Sequence, residues 1–181
     1  MPTDIDALLK KAKPRETTVA VYLDGATGAE IERLERQLAQ VGADEWAPSL
    51  ADTDLRRPIA EKIAAARRKL RASEAEFRFR ALPDWSDDPE VKTWSDLLAA
   101  HPPENPAEVV FNVKTFPRVL ISACAIDPVM TPEQVDRLFA VINQAQRDAV
   151  FQAAYDANTE ASSVPFSVSA SAILAAHGDG K

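Results

Sequence analysis

Residues 94–135 read WSDLLAAHPPENPAEVVFNVKTFPRVLISACAIDPVMTPEQV, and the punctuation of this stretch decides the fold. Leu97 and Leu98 sit near the end of a helix that His101-Pro102-Pro103 stops, because proline lacks an N–H and excludes helical geometry from the residue before it. Thr115-Phe116-Pro117 opens a second, short helix carrying Val119, Leu120, Ala123 and Cys124, and Asp127-Pro128 ends it. Thr131-Pro132-Glu133-Gln134 begins a third. A hydroxyl stands at its N-cap, proline at the first helical position, and an amide three residues on to return the capping bond.

Upstream, the period changes. Residues Thr17 to Leu23 alternate, with Val19, Val21 and Leu23 on one side and Ala20 and Tyr22 on the other, which predicts a strand with one buried face. Asp24-Gly25 reads as the turn that closes it. Ile31, Leu34, Leu38 and Val41 then recur at helical spacing, with Gly42 placed to cap the end. Ala43 to Asp54 reads as a loop. Leu55, Ile59, Ile63, Ala66 and Leu70 make a second stripe, with Pro58 in the first turn. Two such helices form an antiparallel hairpin. Ser73 to Leu82 alternates again, Phe77 and Phe79 inward and Arg78 and Arg80 outward, so this strand is expected to pair with Thr17–Leu23. Asp4 to Lys13 carries a short amphipathic pattern of Ile5, Leu8 and Leu9.

Pro83 to Asp88 reads as a seam, with Asp88 capping a helix whose apolar face is Val91, Trp94, Leu97 and Leu98. Residues 102–113 form a long, Pro-rich loop. One helix is expected from Pro132 to Asn158, burying Val135, Leu138, Phe139, Ile142, Ala149 and Ala153. Val150, Phe151 and Tyr155 widen its apolar stripe beyond a single helical contact, which means burial on two sides or a partner surface. Thr159 to Lys181 is rich in Ser, Ala and Gly and reads as disordered in isolation. The expectation is an α+β fold, mostly helical. It has a two-stranded antiparallel element with an inserted helical hairpin (residues 1–83), a small helical bundle (84–158) and a flexible tail (159–181).

Composition narrows the function classes. A chain of 181 residues with 46% apolar residues can bury a real core. A net charge of −7 disfavours nonspecific binding to nucleic acid or anionic membranes. No apolar run approaches the roughly 18 residues that span a bilayer, and the N-terminal residues do not read as a signal peptide. A single cysteine, Cys124, and two histidines make neither a disulfide nor a zinc set. His101, between a helix end and two prolines, has no nucleophile or acid motif beside it and reads as a helix-ending residue. Asp84, Asp87, Asp88 and Glu90 read as a solvated linker and cap. The glycines make no phosphate-cradling loop. No active site, metal site or cofactor site emerges, so the chain reads as a binding protein. Its strongest charge feature is basic, Arg67, Arg68, Lys69 and Arg71 with Arg78 and Arg80, which reads mainly as solvated charge favoured by a helix-end dipole; beyond that, an acidic protein partner is preferred over RNA or DNA.

The ordered pieces W-x-x-L-L-A-A-H-P-P, N-V-x-T-F-x-x-x-L-I-x-A-C and T-P-E-Q-V resemble tail assembly chaperones of long-tailed bacteriophages and prophages of actinobacteria. So do V-Y-L-D-G and F-R-F-R-A-L-P upstream and N-T…V-P-F-S downstream, which extends the resemblance over about Thr17 to Ser171. The resemblance implies a protein of the host cytoplasm that coats the tape measure protein and helps tail-tube subunits polymerise around it, then leaves the particle. It also implies a longer form of the chain made by ribosomal frameshifting. Trp94, Leu98, Phe116, Leu120, Phe139 and Phe151 are the candidate frame and partner surface, with Arg78 and Arg80 as candidate charged contacts. The helical stripes pack on each other or on a second copy. Two other readings stand beside this one: a structural tail or connector component retained in the virion, and a helix-turn-helix regulator built on Thr115–Ala125 and Thr131–Asn143. The last pair carries few basic residues for phosphate contacts.

Overall fold

Alternation in the two strand segments is realised as an antiparallel pair. The computed structural model describes residues 4–44, 56–107 and 109–161. Strand β1 (Glu16–Tyr22) pairs with β2 (Glu74–Arg80), with Glu16 opposite Arg80 and Tyr22 opposite Glu74 and no break between. Val21, Phe77 and Phe79 are buried, while Thr18, Ala20, Arg78 and Arg80 face outward. The sheet thus has one dry face and one wet face. A third strand, β3 (Ala125–Asp127), joins the free side of β2 and sets Ala125 opposite Phe79 and Asp127 opposite Arg78, with an irregularity between Arg78 and Phe79. Three residues are too few to display a period of two, so the sequence shows only the end of a helix there.

Between the strands lie helices α2 (Gly25–Asp44) and α3 (Arg56–Ala72). Asp24-Gly25 starts the helix at once instead of making a separate turn. The Asp24 carboxylate accepts from the Thr27 N–H at 2.9 Å and from the Thr27 hydroxyl at 2.6 Å. Those bonds, in that order hydroxyl then backbone, with Lys69 at 3.2 Å, hold the Asp24 carboxyl down to about 2. Helix α2 continues past Gly42 to Asp44, so Gly42 is not its cap, and the rest of the expected Ala43–Asp54 loop lies outside the described residues. Leu34, Ile59 and Ile63 form a small core of their own, with Leu38 and Val41 against it. The N-terminal α1 (Ile5–Leu9) forms, but Ile5, Leu8 and Leu9 are all exposed.

The second half departs from the expected boundaries in two places. Asp88 caps only a turn, its carboxylate accepting from Glu90 N–H and its carbonyl from Val91 N–H. Helix α4 (Trp94–Ala100) starts later, at the Thr93 cap, which Asp96 closes reciprocally, and Val91 is left outside and exposed. The helix expected over Pro132–Asn158 is two. Helix α6 (Pro132–Val141) opens on the expected Thr131/Gln134 capping box, and α7 (Gln144–Thr159) opens on a second box made by Asn143 and Gln146. Asn-x-x-Gln offers both orphan donors a partner, and the chain takes the break. The break changes the helical phase, so Ala149 is exposed and Ala154 and Ala157 are buried in its place.

Helix α5 (Phe116–Cys124) lies between these elements and buries Phe116, Leu120, Ile121 and Cys124. One core joins Val21, Phe77 and Phe79 of the sheet to α5, Val135, Ile142 and the buried face of α7, so it runs across the Pro83–Asp88 stretch. Asn158 ties the layers together. Its amide oxygen accepts from Leu82 N–H at 2.8 Å, and its nitrogen donates to Ala154 O and to Cys124 Sγ at 3.3 Å.

Candidate partner-binding groove

Aromatic side chains build the site from the loop outward. Phe111 belongs to the patternless Pro-rich loop, where no periodicity marks its role. Its ring stacks on Phe116 at 4.5 Å and meets Phe151 edge-on at 5.7 Å. Trp94 meets Phe116 and Tyr155 edge-on at 5.7 and 5.8 Å. Such pairs add to area burial and fix ring orientation. Asn112 holds the loop in place, since its side chain accepts from Lys114 and Thr115 N–H and its own N–H donates to His101 O. The His101 ring lies 2.9 Å from the Thr115 hydroxyl, which gives it a structural partner at the helix end.

Above this cluster a groove of 470 Å³ opens between the start of α5, the middle of α6 and the start of α7. Phe111, Val113, Pro117, Phe139 and Phe151 supply its apolar lining, and Lys114, Arg118, Asp136, Gln144, Arg147 and Asp148 its polar lining. Arg118 pairs with Asp136 at 3.1 Å and so links α5 to α6. Lys114 pairs with Glu104 at 2.8 Å, which raises the lysine pKa. Arg147 is different. Its guanidinium carbon stands 5.9 Å from the centre of the Phe139 ring and its Nε donates to Ile142 O at 3.3 Å, but among the described residues it has no carboxylate partner. A cation laid on an aromatic face beside an apolar floor can receive a carboxylate from outside.

The expected site residues divide into four groups. Phe139 and Phe151 line the groove. Phe116 and Leu120 have no exposed surface and form the core beneath it. Trp94 and Leu98 are half-buried against that same core. Arg78 and Arg80 lie on the wet face of the sheet, opposite the helices. Both hold Glu16, at 2.9 and 2.8 Å, and these bonds, Arg80 first and then Arg78, lower the Glu16 carboxyl pKa. The other basic residues are partly matched too, Arg67 with Glu35 at 2.7 Å and Lys69 with Asp24. Exposed pairs of this kind contribute little stability, but they leave less basic charge to offer to a partner.

Cys124 lies in the core. Burial pushes its thiol up to about 11, against the opposing effect of the Asn158 bond. Only about one thiol in a thousand would be thiolate at pH 8. An aromatic disulfide reagent at that pH is therefore expected to leave Cys124 unmodified in the native protein and to label it at once in urea. Native labelling at the unfolded rate would contradict its burial.

Among the described residues, no His, Cys, Asp and Glu cluster is placed to hold a metal ion, and no helix is long and apolar enough to cross a membrane. Compared with family models, curated proteins and solved structures, the chain matches none.

Proposed function

We propose that this chain is a tail assembly chaperone of a long-tailed phage, acting in the host cytoplasm. In this reading it binds amphipathic helical segments of the tape measure protein, keeps them soluble while tube subunits assemble around them, and is absent from the finished particle. The observation that carries the reading is the groove. Its floor is aromatic, its walls hold charges of both signs, and its volume takes the apolar side chains of one helix turn or two. That is the chemistry of helix-in-groove recognition. Half-buried rings on a rigid floor also favour moderate affinity, which a displaceable chaperone needs, since association costs offset much of the area buried. The net charge of −7 would keep a loaded complex soluble. The ordered pieces that resemble phage tail chaperones point the same way.

The test is co-expression with the long coiled-coil protein encoded next to it, followed by size-exclusion chromatography with light scattering. The expected result is a soluble complex holding several copies of this chain. A partner that stays insoluble while this chain elutes alone would remove the short form from the role. Recovery of the chain from purified virions by mass spectrometry would favour a retained tail or connector component instead.

A further inference from the structure

The outer edge of β1 is an unpaired strand edge, and its hydrogen-bonding phase follows from two bonds. Ala81 N–H donates to Arg15 O at 2.8 Å, and Leu23 N–H donates to Ser73 O at 3.1 Å. Antiparallel ladders alternate, so the odd-numbered residues of β1 turn their N–H and C=O toward β2. The even-numbered ones, Glu16, Thr18, Ala20 and Tyr22, turn theirs away from it. One of these outward groups has a partner, Tyr22 O, which accepts from Gln146 Nε2 at 2.7 Å. Among the described residues no strand pairs with this edge.

Strand edges are ordinarily blunted by lysine, proline or a bulge. Thr17 to Tyr22, TTVAVY, contains no charge and no proline, and its ladder with β2 has no irregularity. Beside the edge a concavity runs along α7, lined on the helix side by Ala149, Gln152, Ala153 and Asp156. The phase of α7 leaves Ala149 exposed, at this concavity.

We infer that β1 pairs antiparallel with β1 of a second copy of this chain, across a two-fold axis at Val19, to make one continuous six-stranded sheet. This register opposes Thr18 to the second copy's Ala20, and Glu16 to the second copy's Tyr22. No like charges meet, since Glu16 is already held by Arg78 and Arg80. Each outward N–H and C=O finds a partner, with Gln146 giving way at Tyr22. A foreign strand could satisfy the same backbone groups, but a second copy does more. It brings its own α7 to the same side of the sheet, where Ala149 and Ala153, one turn apart, let two helix backbones approach closely. The pairing is isologous and closes as a dimer. Phe139, Arg147 and Phe151 lie outside it, so each dimer keeps two open grooves, and the inference stands apart from the proposed function.

Sedimentation velocity of the full chain over a range of concentrations tests it. The expected species is a dimer. Ala20→Pro removes an N–H that β2 does not use, so it should yield a monomer with an unchanged far-UV circular dichroism spectrum. Ala149→Arg, at an exposed position, should also yield a monomer, and it decides the matter if the proline variant does not fold. Phe139→Ala should leave the dimer intact. A wild-type chain that is monomeric at every concentration would overturn the inference, and so would a dimer that Ala149→Arg leaves at full strength.

Discussion

Leu120→Asp is expected to abolish cooperative folding of the sheet and of helices α5, α6 and α7 together. Leu120 has no exposed surface and belongs to the same core as Val21, Phe77 and Phe79 of the strands. Removing its side chain alone would cost about 2–5 kcal/mol. The carboxylate adds several more, because it would be buried within a hydrophobic cluster. Together these are comparable with the about 5–15 kcal/mol that holds a domain folded. Urea titration followed by Trp94 fluorescence, with Trp46 and Trp85 replaced by phenylalanine, checks it. A sigmoidal transition at the wild-type midpoint would place Leu120 on a surface.

Phe139→Asp is expected to do the opposite, leaving the fold in place and removing the partner. Phe139 is half-buried at the groove and carries Arg147 on its ring. Aspartate there would capture Arg147 internally and replace an apolar contact with a charge. Loss of an aromatic anchor commonly costs about 2 kcal/mol or more at an interface, roughly a thirtyfold loss of affinity. In the co-expression experiment the coiled-coil protein should return to the insoluble fraction while the variant elutes normally. Retained co-elution at wild-type stoichiometry would move the binding surface away from the groove.

The strand pair was legible because alternation over seven residues repeats the pleat three times, and Phe77 and Phe79 on one side left no second register. The hairpin was legible because Ile31, Leu34 and Leu38 on one helix, and Ile59, Ile63 and Ala66 on the other, recur at helical spacing. The third strand was not, since the three residues of Ala125–Asp127 are too few to repeat the alternation. The break at Asn143 was written in the sequence as Asn-x-x-Gln, the same device as Thr131-x-x-Gln134, but continuous apolar residues on both sides masked it. Of the site, Phe139 and Phe151 carried a signal, an apolar stripe wider than one contact. Phe111 and Arg147 did not, because a ring in an irregular loop and a cation on a helix acquire their meaning only from what tertiary packing sets beside them. Cap competition explains the late start of α4, where Thr93 with Asp96 satisfies the helix end and Asp88 closes only a local turn.

The small core between α2 and α3 shares no buried side chain with the larger one. Cooperativity follows shared burial. The hairpin therefore amounts to a separate melting unit, and a single midpoint would not describe the whole chain. Trp94 reports only on the larger unit, whereas the amides of α2 and α3 report on the smaller. A substitution at Ile63 would accelerate hydrogen exchange through the hairpin and leave the amides of α6 and α7 around the groove at their wild-type rates, so the chain can vary at one end without altering the groove at the other.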